Sequence, residues 1–192
     1  MLGPADPLAC RPCRVLVAGT SGAGKTTMAA RIAGILGVPH IEIDALFHGP
    51  DWVPRPSFES DVHAFSARPA WTTEWQYRSV REHLADRADL LVWLDLPRSL
   101  VMRRIIRRTL VRRLRREELW NGNREAALWT IITDRDHIVR WAWNTHHKSQ
   151  ARVAELMRRR PDLYVVRLRN QKEVGRWLSG PLQAVVTARP SS

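Results

Sequence analysis

Gly19-Thr20-Ser21-Gly22-Ala23-Gly24-Lys25-Thr26 is the stretch on which the fold turns. A glycine, four residues and then Gly-Lys-Thr form the P-loop pattern, and the flanking sequence supplies the context that such a loop needs. Arg14-Val-Leu-Val-Ala18 is a short apolar run that predicts a buried strand; Thr26 to Leu36 continues with helix formers until Gly37 offers a stop. Glycines let backbone N–H groups turn inward without Cβ clashes, and the N-terminus of the following helix adds a favourable dipole. Residues Gly19 to Thr27 are therefore expected to cradle the phosphates of a nucleotide. Lys25 is expected to reach the β- and γ-phosphates and Thr26 to offer its hydroxyl to Mg²⁺, with Thr27 backing the loop.

Outward from the loop, strand and helix signals alternate. His40-Ile-Glu-Ile-Asp44 alternates polar and apolar residues after Pro39 and predicts a second strand. Ser57 is placed to cap a helix running to about Ser66, Trp71 to Trp75 predicts a third strand, and a helix follows to about Arg87. Asp89-Leu-Leu-Val-Trp-Leu-Asp95 is the clearest buried strand, stopped by Pro97. Helical periodicity runs from Ser99 to about Arg113; Leu114 to Glu125 lacks a period and reads as loop or lid, and 126–159 is helical again with a break near Asn144 to His147. Leu163 to Leu168 predicts a fifth strand, and Asn170 with Glu173 resembles a capping box opening the last helix. Five short apolar strands alternating with helices imply an α/β fold, a parallel sheet covered on both faces.

Composition bounds the rest. A chain of 192 residues fits one substantial core, expected over 14–180 between a flexible arm at 1–13 and a flexible tail at 181–192. No stretch approaches the roughly 18 to 20 apolar residues of a membrane span, and the N-terminus lacks the apolar run of a signal peptide, so the expected compartment is the cytoplasm. Cys10 and Cys13 are the two cysteines. With no others to complete a zinc site and no strand before them, they read as two thiols in the arm.

The formal net charge is +12, which suits a polyanionic partner: nucleic acid, or the triphosphate of a nucleotide. Nine arginines lie between Arg98 and Arg116. Arg104 and Arg108, four apart, share one helical face, and a planar guanidinium that stays charged is suited to phosphate. On the acceptor side, Asp44, Glu74 and Asp95 end predicted strands, where a carboxylate can orient or deprotonate an acceptor hydroxyl. Asp95 is the weakest of the three because Pro97 and Ser99 place it in a turn. Trp52 and Trp75 flank the predicted crevice.

These residues resemble adenylate-kinase-related P-loop proteins, in the topology-modulation or FlaR-like branch. Beyond the loop, the matching stretches are Ile43-Asp-Ala-Leu-Phe-His-Gly-Pro-Asp-Trp52, Thr73-Glu-Trp-Gln-Tyr77, Leu91-Val-Trp-Leu-Asp-Leu-Pro97, Leu119-Trp-Asn-Gly-Asn-Arg-Glu125 and Thr133-Asp-Arg-Asp-His137, within about Val15 to Leu178. The resemblance implies a nucleotide-kinase-like three-layer sandwich with sheet order 2-3-1-4-5 and a short arginine-rich lid over about 109–135. It also implies that Arg104 and Arg108 face ATP and that Arg135 is a lid arginine. Glu74-Trp75-Gln76-Tyr77 stands where many relatives have Asp-Gly-Asn-Tyr, and Trp75 in place of glycine narrows the acceptor pocket against AMP. The expected activity is transfer of the ATP γ-phosphate to a small acceptor, a nucleotide, a nucleoside or a non-nucleotide such as a sugar acid. The alternative is a nucleotide-binding regulatory or DNA-associated protein with a basic surface.

Overall fold

A computed structural model describes residues 1–115 and 149–187, with the side chains of α5 described to Ile105 and at Arg107. The sheet is built from β1 (Arg14–Gly19), β2 (Trp71–Glu74), β3 (Leu90–Leu94) and β4 (Tyr164–Leu168). All neighbours are parallel and the order is β2-β1-β3-β4. Around it lie α1 (Lys25–Leu36), α2 (Ile43–Phe47), α3 (Phe58–Ser66), α4 (Arg78–Arg87), α5 (Arg98–Arg115), α6 (149–159), α7 (Gln171–Trp177) and α8 (Gln183–Thr187).

The continuous apolar runs of β1 and β3 are explained by what covers them. Side chains alternate between the two faces of a strand, so Val15 and Val17 enter one core with Met28, Ile32, Leu36 and Trp177. Leu16 and Ala18 enter a second core with Phe58, Val62, Trp71 and Leu84. Leu90, Val92 and Leu94 join the first core, and Leu91 and Trp93 the second. Two buried faces make three layers, and each fully buried Leu or Val contributes about 1.5–3 kcal/mol.

Two expectations of the sheet are corrected. Among the described residues four strands form it, not five, and the order is β2-β1-β3-β4 rather than 2-3-1-4-5, the difference being the expected second strand, which is absent from the edge beside β2. The segment 40–44 reaches β2 only through a bridge of His40 to Thr72, after which the chain coils into α2. The cause is Glu74: its buried carboxylate accepts from the Ile43 amide at 3.1 Å and contacts His40 Nε2 at 3.2 Å, drawing the segment inward before a ladder can extend.

The segments flanking the core, as far as they are described, pack on the first core through Leu2, Leu8, Leu182 and Val186. Leu2 bridges Val166, and Leu2 and Leu8 pack on the first core, so the arm at 1–13 is tied to β4. Beyond α7, a π turn at Leu178–Leu182 accommodates Pro181, Leu182 is fully buried, and α8 follows. Residues 188–192 and most of the expected lid lie outside the described residues. Gly37 ends α1 with φ 66°, and Asn170 caps α7 by accepting from the Glu173 amide at 2.9 Å. No helix among the described residues is long and apolar enough to cross a membrane.

Candidate functional site

A cleft of about 1040 Å³ opens where β1, β2 and β3 end, with the 19–27 loop along one side. Parallel strands deliver their loops to the same edge, which is why the site forms here.

The loop is shaped by φ values of 78° at Gly22 and 92° at Gly24, left-handed conformations that favour glycine. Ala23 between them is 2% exposed and its amide donates to Thr20 O at 3.1 Å, anchoring the loop to the core. A Cβ at Gly22 would collide with Ile105 of α5, so the loop and α5 pack backbone against side chain. Helix α1 begins at Gly24 with no side-chain cap and no acidic residue in its first turn. Its amide donors and positive dipole end are thus left to an anion. Lys25 Nζ donates to Thr20 O at 3.4 Å, and Thr26 lines the cleft.

Arg104 is at the loop, but braced: Nη1 donates to Ala23 O at 3.0 Å and Nη2 to Gln171 Oε1 at 2.7 Å. Arg108 lies in α5 with its side chain outside the described residues, and Arg135 lies outside them altogether.

Across the cleft stands Asp44, carried by α2. Its Oδ1 accepts from Gln76 Nε2 and from the Tyr77 hydroxyl, both at 2.6 Å. No hydrogen bond among the described residues falls on Oδ2. His48 Nε2 lies 3.3 Å from the Tyr77 oxygen, and Phe47 stacks on the Tyr77 ring at 4.1 Å. Burial first, and the bond to Asp44 second, push the Tyr77 phenol above its ordinary range, so it remains a donor.

Glu74 is not at the cleft. It is fully buried beneath it and holds His40 and Ile43. Burial alone would raise its pKa, but the bonds from His40 and Ile43 hold it below the ordinary value. Asp95 is likewise structural, ion-paired with Arg167, which also lies 4.7 Å over the Trp93 ring. Trp75 lines the cleft, its Nε1 donating to Arg81 O at 3.0 Å; Trp52 does not line it, but meets the His48 ring edge-on at 5.1 Å.

Arg81 and Arg152 also line the cleft and were not among the expected site residues. They sit in helices far apart in sequence, and no local pattern marks either. Tyr77 and Gln76 had a signal only in the stretch Thr73 to Tyr77.

No protein-family model matches the chain, and no curated protein does. Among solved structures it is similar to a shikimate kinase from Acinetobacter baumannii in complex with shikimate, at 16% identity over 93% of this chain and 96% of that one, with a TM-score of 0.51. It is also similar to a gluconokinase from Sinorhizobium meliloti 1021, at 19% identity over 92% and 95% of the two chains and a TM-score of 0.48. A sugar kinase from Janibacter sp. HTCC2649 is similar at 22% identity over 91% and 97%, with a TM-score of 0.44. At the identity and TM-score of the shikimate kinase, the likeness bears on the fold alone, a parallel α/β sheet covered on both faces.

Proposed function

We propose that the chain is a cytoplasmic ATP-dependent phosphotransferase that moves the γ-phosphate of ATP to the hydroxyl of a small acceptor. The observation that carries this reading is that the loop at Gly19–Thr27 and the Asp44 carboxylate share one cleft. The loop amides, the uncapped start of α1 and Lys25 hold the phosphates. Asp44 is fixed through Oδ1, and its Oδ2 accepts the proton of the acceptor hydroxyl as that oxygen approaches phosphorus. Arg104 has two of the five N–H donors of a guanidinium engaged, and the others are available to charge developing on the phosphoryl group. Arg108, on α5, and Arg135, in the lid, are assigned the same charge-neutralising role. Glu74 acts indirectly, by placing the segment that carries Asp44.

Among the described residues no group of three or more His, Cys, Asp or Glu side chains gathers to hold a metal. Mg²⁺ fits this site through the Thr26 hydroxyl, the nucleotide phosphates and water, since the ion commonly keeps several waters. When bound it neutralises phosphate charge.

The resemblance to the FlaR-like branch of adenylate-kinase relatives is consistent with this reading. The test is Lys25→Ala against the parent chain, titrated with a fluorescent ATP analogue, alongside ADP release over an acceptor panel. Loss of most analogue affinity with the fold retained is expected, and equal affinities would sink the assignment.

A further inference from the structure

Several arginines outside the cleft are held by carboxylates. Arg14 pairs with Asp89 at 2.6 Å, Arg159 with Asp86 at 2.9 Å and Arg160 with Asp162 at 2.7 Å, and Arg167 pairs with Asp95. Two arginines on the Asp44 side of the cleft are not. Arg81, from α4, and Arg152, from α6, both line the cleft, and neither makes an ion pair or a side-chain hydrogen bond among the described residues. The Nε of Arg81 is buried and has no hydrogen-bond partner there. A buried donor left without an acceptor is costly, more so when charged.

The two guanidinium groups are close enough to feel one another. Burial first, then the charges of Arg152 and Arg78, lower the pKa of Arg81, while Glu82 opposes them weakly. Glu42 and Asp44 line the same cleft without pairing to either arginine. Asp44 is engaged instead by Gln76 and Tyr77. Trp75 fixes the position of Arg81: its indole N–H donates to Arg81 O, and the Arg81 guanidinium carbon lies 5.7 Å from its ring centroid. The costly features, two like charges and a dry donor, are both relieved by an oxyanion seated between the guanidinium groups.

We infer that the acceptor is a small hydroxylated oxyanion, a carboxylate or a phosphate ester, gripped by Arg81 and Arg152 with its hydroxyl presented to Asp44. This rests on the kinase reading above. The wall made by Trp75 limits how bulky the acceptor can be beside that grip. The anionic group is a handle and is not itself phosphorylated; the bond formed joins the hydroxyl oxygen to the γ-phosphorus, ADP leaves, and the hydroxyl proton passes to Asp44 Oδ2.

The test loads the full chain with a non-hydrolysable ATP analogue, so that the loop is occupied, and follows a second ligand by calorimetry. The probes are inorganic phosphate, a six-carbon aldonic acid and the neutral aldose of the same length; the relative strength of the first two tells phosphate from carboxylate. At least one anion should bind the loaded protein, and Arg81→Gln and Arg152→Gln should each weaken it by about tenfold or more, with Arg81→Lys intermediate. Analogue affinity should stay within about twofold in these variants. Arg152 is exposed and its substitution does not threaten folding, so the outcome does not hang on Arg81 alone. The inference is overturned if neither anion binds the loaded protein, if the neutral sugar binds as well, or if the variants bind anions as the parent does. Failure of the parent to bind the analogue would instead remove the kinase reading.

Discussion

The Tyr77 hydroxyl donates to Asp44 Oδ1 at 2.6 Å from a residue whose φ is 58°. A non-glycine residue is held in that region only where its surroundings over-determine it, and here Phe47, Phe58 and Asp44 all grip the side chain. Tyr77→Phe should leave ATP affinity unchanged and lower kcat for the acceptor by about 10- to 100-fold, the effect of one hydrogen bond to a charged group. Steady-state kinetics with ATP and acceptor varied separately checks this. An unchanged kcat would mean that Asp44 is not oriented through Tyr77.

The same phenol sets an alkaline limit. Its folded pKa lies above the ordinary 10.0, so the folded state holds the proton more tightly than the unfolded chain. Its stabilisation is complete below about pH 10 and declines as pH rises past that value. Thermal melts at pH 9 and 11 should show a larger loss of Tm for the parent chain than for Tyr77→Phe.

Glu74 sets the acid limit, with the opposite sign. Its folded pKa lies below the ordinary 4.5, so its stabilisation is present above that value and is lost as pH falls through the folded one. Glu74→Gln should cost about 1–3 kcal/mol at neutral pH by weakening the contacts to His40 and Ile43. The stability gap between variant and parent should narrow below pH 4.5. Urea melts at pH 7 and pH 4 measure it. A variant as stable as the parent at pH 7, yet inactive, would return Glu74 to the chemistry.

Gly22→Ala should abolish most nucleotide binding, because φ is 78° and the new methyl would meet Ile105 Cδ1 at 2.9 Å and Val101 Cγ1 at 3.3 Å. Adding Ile105→Ala should recover about 1 kcal/mol of stability by removing the collision, but not the left-handed strain. Additive losses in the double variant would show that the loop and α5 do not touch.

Arg104 separates catalysis from charge. Arg104→Ala should impair ATP turnover, because the residue braces Ala23 and Gln171 at the loop. Affinity for duplex DNA should be little altered. If instead the salt slope of DNA binding falls by roughly one while turnover is unchanged, the basic surface is a nucleic-acid surface.

Much of the fold was readable where local signals agreed. Asp89 to Asp95 is apolar on both faces and became β3; the glycine pattern after Val15–Ala18 became a loop between β1 and α1. The misreadings come from contacts that only the folded chain makes. His40 to Asp44 alternates like a strand, but the Glu74 carboxylate, contributed by a residue some thirty positions later, captures Ile43 and begins α2 instead. Glu74 itself was read as facing the cleft because it ends a strand; alternation left open which side it would take, and Trp75 to Tyr77 face the cleft instead. Arg81 and Arg152 could not be paired from sequence, since their meeting depends on how α4 and α6 pack.

The acceptor wall has an uneven architecture. Trp75, Gln76, Tyr77 and Arg81 belong to one stretch of seven residues, with Glu74 turned inward at its start. Trp75 bonds back to Arg81, so the stretch is partly self-supporting. The phosphate loop belongs to a different strand and helix, and the stretch is joined to that strand by the Trp75 amide, which donates to Val17 O at 2.8 Å. Residues 75–81 therefore form an exchangeable cassette: transplanting this short segment, together with a compatible residue at 152, can redirect the choice of acceptor while the machinery that grips ATP stays untouched.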